Sequence, residues 1–189
     1  MALTVKVYTT ADWGAVAPRS TPKLSPHGSY IIIHHTAGTP SSGGSVAGGK
    51  NLARAIQKDH MKRVTKNGTK WIDSGHNFLN TIGGHVFEGR HRTIEAINQG
   101  KCVNSAHSDQ AAANKCPGIE NEGNYTTKVM PKVQWDSLVD LCVDLCVNLQ
   151  LDPGVIRGHR DFAATQCPGN WLYSQLPQLI TDVRSKMPT

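Results

Sequence analysis

An imidazole and a thiol stand eight residues apart at His159 and Cys167, with a hydroxyl, Thr165, between them. Both side chains suit zinc. Free cysteines are usually core residues, so the pair alone carries little weight. It gains weight from a second site far upstream, Ile31-Ile32-Ile33-His34-His35-Thr36-Ala37-Gly38. An apolar β-branched run ending in histidine places a ligand at the C-terminal end of a buried strand, where active sites of open α/β sheets gather. Two histidines and one cysteine leave a fourth position for water, the arrangement of a catalytic zinc. A structural zinc normally closes with a fourth protein ligand. His34 and His35 are adjacent, so on a strand they point to opposite faces and only one can easily join the metal.

Stepping outward, Tyr30 to Ile33 reads as a strand buried on both faces. The glycine- and serine-rich run 38–49 reads as a flexible connector, with a mobile substrate-side loop as the alternative. Residues 51–63 carry Leu52, Ala55, Ile56 and Met61 at amphipathic helical spacing. His76 to Leu79 and His85 to Phe87 read as an antiparallel pair around Gly83-Gly84. Residues 88–118 read as one long irregular region, and a loop of that length is often functional. Pro131 opens the clearest helix, with Trp135, Leu138, Cys142, Leu145 and Leu149 on one stripe. Val155-Ile156 reads as a short strand, and a last helix spans about 172–186, interrupted or started by Pro177. These elements add up to an α/β fold with a single mixed central sheet flanked by helices. Residues 1–29 read as an N-terminal extension wrapping the domain, and 30–189 as the catalytic domain.

The length of 189 residues suits one domain with one substantial core. No apolar run reaches the roughly 18 residues of a membrane span, so membrane insertion is not expected. The first residues lack the apolar core and cleavage site of a signal peptide. A chain kept in a cytoplasm, one released without a signal, or a cloned fragment all fit. The formal charge of +6 suits either a solvated basic surface or attraction to a polyanion such as a teichoic-acid-bearing wall. Without a Lys/Arg block interleaved with aromatics, nucleic acid is a minor option. Of the five cysteines, Cys102, Cys116, Cys142 and Cys146 read by default as buried thiols, with disulfides among them as the alternative.

The motifs together resemble the zinc-dependent N-acetylmuramoyl-L-alanine amidases, the family joining phage amidase endolysins to peptidoglycan recognition proteins. Its segments match Asp12-Trp13-Gly14-Ala15, Ile33 to Gly38, His60-Met61, Trp71 to Leu79, Gly84 to Arg90, Ser105-Ala106-His107 with Asn114, Gly118-Ile119-Glu120, and Gly158 to Tyr173. They fall in the family's order across nearly the whole chain. The resemblance implies an amidase-like fold, a zinc ion on His34, His159 and Cys167, and bacterial peptidoglycan as partner. It implies Glu120 as the group that moves the proton, and Thr165 at a position where the family has lysine or threonine stabilising the oxyanion. Many members carry tyrosine where His76 stands, so the acid/base role is split between Glu120 and His76. His35, Thr36, His107 and Asn114 match positions lining the substrate groove.

The reaction so implied is hydrolysis of the amide between N-acetylmuramic acid and L-alanine by a monomeric enzyme. The lone domain without a signal fits a phage endolysin acting on the wall after release. Alternatives are a peptidoglycan-binding recognition module without hydrolysis, a cytoplasmic muropeptide-recycling amidase, a zinc-stabilised structural domain, and a basic nucleic-acid binder. Non-catalytic members commonly lack the metal-binding cysteine, so Cys167 favours catalysis.

Overall fold

The computed structural model describes residues 2–65 and 67–188. A six-stranded sheet organises the chain. Its strands are β1 (Val7–Tyr8), β3 (Ile31–His35), β4 (Phe78–Asn80), β5 (Val86–Glu88), β7 (Gly118–Asn121) and β8 (Ile156–Gly158), in the order β1-β5-β4-β7-β3-β8. Pairing is parallel except between β4 and β5. A small antiparallel ladder joins β2 (Leu24–Pro26) to β6 (Lys101–Val103). The helices are α1 (Thr10–Trp13), α2 (Val46–His60), α3 (Thr93–Asn98), α4 (Lys132–Leu149), α5 (Asn170–Ser174) and α6 (Leu176–Lys186). The expected mixed sheet flanked by helices is what forms.

Strand β3 is buried along its whole length, and its alternation divides the molecule. Ile31 and Ile33 pack into the larger core with Phe78, Val86, Ile119, Leu138, Leu145, Leu179 and Val183, drawn largely from the sheet, α4 and α6. Ile32 faces the other way, onto Ala113 and Cys116. A separate apolar cluster there joins Trp13, Ala53, Leu79 and Phe87, so α2 covers that face. Burying such side chains stabilises the fold by about 1.5–3 kcal/mol each. His34 follows Ile32 and falls on the α2 face, while His35 follows Ile33.

The N-terminal alternation has a definite role. Leu3, Val5 and Val7 pack on the larger core, and buried Asp144 accepts hydrogen bonds from Thr4 N at 2.7 Å and Val5 N at 2.8 Å. The segment then adds β1 to the sheet edge.

Four expectations need correction. Helix α2 begins at Val46, well before 51, because Ser45 caps it by accepting from Gly48 N at 3.0 Å. Gly49, a poor helix former, is needed inside it: a Cβ there would meet the Phe87 ring at 2.5 Å. Nor is the run before it a loose connector. Glu122, buried at the end of β7, accepts from Ser41 N, Ser42 N, Ser42 Oγ and Ile82 N at 2.6–3.0 Å. The region 88–118 is not one irregular loop, since it holds α3, β6 and a short 3-10 turn. The last helix is two, α5 and α6, divided at Gln175. All five cysteines are free thiols, with Cys142 and Cys146 in the core.

Candidate active site

At the C-terminal ends of β3 and β7, an open cleft of about 280 Å³ is lined by His34, His35, Thr36, His60, Arg63, Trp71, Gly75, His76, Ala106, His107, Glu120, His159, Thr165 and Cys167. Strand β3 ends on its two histidines. Strand β7 lies beside it and delivers Glu120 in register with His34. Strand β8 flanks β3 on the other side and runs directly into His159. The turn after it carries Thr165 and Cys167, steadied by Arg160 N donating to Cys167 O at 3.0 Å.

One potential ligand atom from each of His34, His159 and Cys167 lies within 4.8 Å of the other two. The rings of His34 and His159 are 4.4 Å apart, and Cys167 Sγ lies 3.7 Å from His34 Nδ1. The donors fit a zinc ion chemically. His159 Nε2 is buried with no hydrogen-bond partner among the described residues, and a buried nitrogen of that kind calls for an explanation. Burial, reinforced by His107 and the other histidines, pushes His34 well below the usual histidine range. Burial also lowers His159, so both rings present lone pairs. Burial pushes the Cys167 thiol up to about 12, and such a thiol ionises at neutral pH only against a cation.

Glu120 and His76 form a pair beside these ligands. His76 Nδ1 lies 3.2 Å from Glu120 Oε2, but off the N–H line, so the contact is electrostatic rather than an aligned hydrogen bond. Burial works to raise the Glu120 pKa, yet His76, His60 and His35 together outweigh it and hold the carboxyl below its ordinary value. A glutamate so placed is ionised and can accept a proton. The His76 side chain is only 2% exposed against 18% for Glu120, so Glu120 is the more open of the two.

Other expected residues fall in varied places. His35 lines the cleft, and its Nδ1 accepts from Tyr125 N at 3.1 Å. Thr36 also lines it and ties β3 to the turn after β7, accepting from Gly123 N at 2.9 Å. Thr165 Oγ1 accepts from Cys167 N at 3.2 Å. Asn114 is outside the cleft lining. Its side chain accepts from Ser108 N at 2.9 Å and donates to Ser108 O at 2.7 Å, closing the loop that carries His107.

Five lining residues lie outside the expected set: Gly75, Ala106, His60, Arg63 and Trp71. His60 ends α2, and its Nδ1 accepts from Gly75 N at 2.9 Å; burial, then His76, pushes it down to about 3. Trp71 lies 5.3 Å from the His60 ring, and the Arg63 guanidinium sits 5.5 Å over the indole. The segments His60-Met61 and Trp71 to Leu79 were visible as matches. No periodic signal showed that the end of a helix and a loop would meet over the cleft.

A family model described as N-acetylmuramoyl-L-alanine amidase matches residues 24–170. The chain belongs to the N-acetylmuramoyl-L-alanine amidase family. Peptidoglycan-recognition protein SC2 of Drosophila simulans is 31% identical to this family member over 175 residues, 92% of this chain and 86% of that one. Peptidoglycan recognition protein 1 of Bos indicus is 28% identical over 173 residues, covering 91% and 83%. Among solved structures, Drosophila PGRP-LB superposes with a TM-score of 0.73 at 27% identity, covering 90% of this chain and 92% of that one. A mutant of the same protein, in complex with tracheal cytotoxin, superposes with a TM-score of 0.72.

Proposed function

We propose that this chain is a zinc-dependent N-acetylmuramoyl-L-alanine amidase acting on bacterial peptidoglycan. The observation that carries the reading is the convergence of His34, His159 and Cys167 beside an ionised glutamate in an open cleft. Among the described residues this is the group of three that could hold a metal ion, and a set of three leaves room for water or substrate.

His34, His159 and Cys167 would hold the ion. When bound there, zinc supplies Lewis acidity toward the amide carbonyl and lowers the pKa of water to about 7. Glu120 accepts the proton of the attacking water and delivers it to the leaving L-alanine nitrogen. His76, its ring buried against the carboxylate, keeps Glu120 ionised and aimed into the cleft. Thr165 donates its hydroxyl hydrogen to the oxygen that gains charge, a weaker stabilisation than an ammonium gives. Trp71, held by the tilted His60 ring and the Arg63 guanidinium, gives substrate a rigid wall.

Support for peptidoglycan as partner comes from the recognition-protein names of the relatives and from the complex of a structural neighbour with tracheal cytotoxin. The test is digestion of purified peptidoglycan. New N-terminal alanine without new reducing ends supports the amidase, and wall binding with no new termini makes the chain a recognition module. Comparing intact walls with soluble muropeptides then separates an endolysin, acting on the wall after release from a cytoplasm, from a recycling enzyme.

A further inference from the structure

His107 lines the cleft beside the ligand set. Its Nε2 is 3.0 Å from the backbone carbonyl oxygen of Cys116. A carbonyl only accepts, so Nε2 carries the proton and donates. In a neutral ring the other nitrogen, Nδ1, is then an acceptor, and it lies 3.1 Å from His34 Nε2. His34 therefore donates from Nε2, which leaves the lone pair on its Nδ1. That is the atom facing Cys167 Sγ at 3.7 Å.

We propose that His107 is a positioning residue: the Cys116 carbonyl sets its tautomer, and it sets the tautomer and orientation of His34 so that Nδ1 faces the metal. The proposal rests on the zinc reading above. Hydrogen bonds from a second layer of groups commonly orient metal-binding imidazoles in this way.

The surroundings of His107 are built to hold it. The ring lies against the backbone of β7 at Gly118, where a Cβ would come within 2.4 Å of His107 Cδ2. Any side chain at 118 would displace the ring. Ala106 N donates to Gly75 O at 2.9 Å, and Ser105 N to Asn114 O at 2.8 Å. Asn114 then closes the other side of the loop through Ser108. The role of Asn114 is thus to fix the loop that presents His107.

The test compares wild type, His107→Phe and His107→Gln, each checked for folding by circular dichroism. Zinc affinity is measured by competition with a chromophoric chelator, and imidazole tautomers by ¹H–¹⁵N NMR of zinc-loaded wild type. The expected result is an Nε2-protonated His34 and a 10- to 100-fold loss of zinc affinity in His107→Phe. His107→Gln, whose amide oxygen can accept from His34, should recover much of that loss. An Nδ1-protonated His34 in wild type, or a folded His107→Phe that binds zinc like wild type, overturns the proposal while leaving the zinc reading intact. So does weaker peptidoglycan binding in that variant at unchanged zinc affinity. If wild type takes up no zinc, the zinc reading itself falls, and the proposal with it.

Discussion

His34 on β3 and Glu120 on β7 are register partners on adjacent parallel strands. Side chains paired in this way leave the sheet on the same face. The expected metal ligand and the expected proton carrier are therefore neighbours by virtue of strand register alone. Glu120→Gln should keep the fold and zinc content but lose roughly 10²–10⁴-fold in rate, the range of general acid–base catalysis. His76→Phe should cost much less, because it removes a supporting contact of Glu120 and not the proton carrier itself. Rates on purified peptidoglycan, with zinc measured in each variant, decide it. The reverse ranking would move the proton transfer to His76.

Cys167→Ser should cut zinc affinity and activity sharply, since serine is a harder and poorer ligand. A chelator should abolish activity in wild type, and added zinc should restore it. Full activity in a verified metal-free preparation would reject zinc dependence.

Asp73 is fully buried and accepts from His91 N, His91 Nδ1 and Gln57 Nε2, each at 2.8 Å. Despite the burial that opposes it, these bonds lower the Asp73 pKa from 3.8. The Asp73 hydrogen bond raises His91 from 6.5. The two shifts give opposite pH limbs. The His91 contribution is fully present below pH 6.5 and is lost as pH rises through its raised folded value. The Asp73 contribution is present above pH 3.8 and is lost as pH falls through its lowered one. Between those two values both act. Asp73→Asn should flatten both limbs in a Tm-against-pH series and destabilise by roughly 2–5 kcal/mol, the range for breaking a buried charged network. An unchanged profile would show that the pair does not link folding to protons.

Trp71→Ala should leave zinc affinity unchanged and weaken substrate binding about tenfold, a typical loss for a packed aromatic anchor. The KM for soluble muropeptides is the measurement, and an unchanged KM would remove Trp71 from the substrate wall.

Much of this molecule was legible from residue types and order. The β-branched run ending at His34, the apolar stripe of α4 and the Gly158-to-Tyr173 stretch each report a local preference or a family motif. Such signals survive because burial face and turn chemistry are written within a few neighbouring residues. The split of His34 and His35 to opposite faces follows from strand period alone. Tertiary structure decided the rest. The 38–49 run is glycine-rich and locally looks loose, yet Glu122, some 80 positions away, binds three of its groups. Helix α3 has only six residues, too few for a periodic signal. His107 and Asn114 match groove positions; His107 lines the cleft with its ring held by the Cys116 carbonyl, whereas Asn114 holds the loop that carries it. His60, Arg63 and Trp71 join the cleft because the segment after α2 folds back on the helix end, Trp71 N donating to Arg63 O at 2.9 Å. Contacts of that kind depend on register and packing between segments far apart in the chain, which no local pattern of residues encodes.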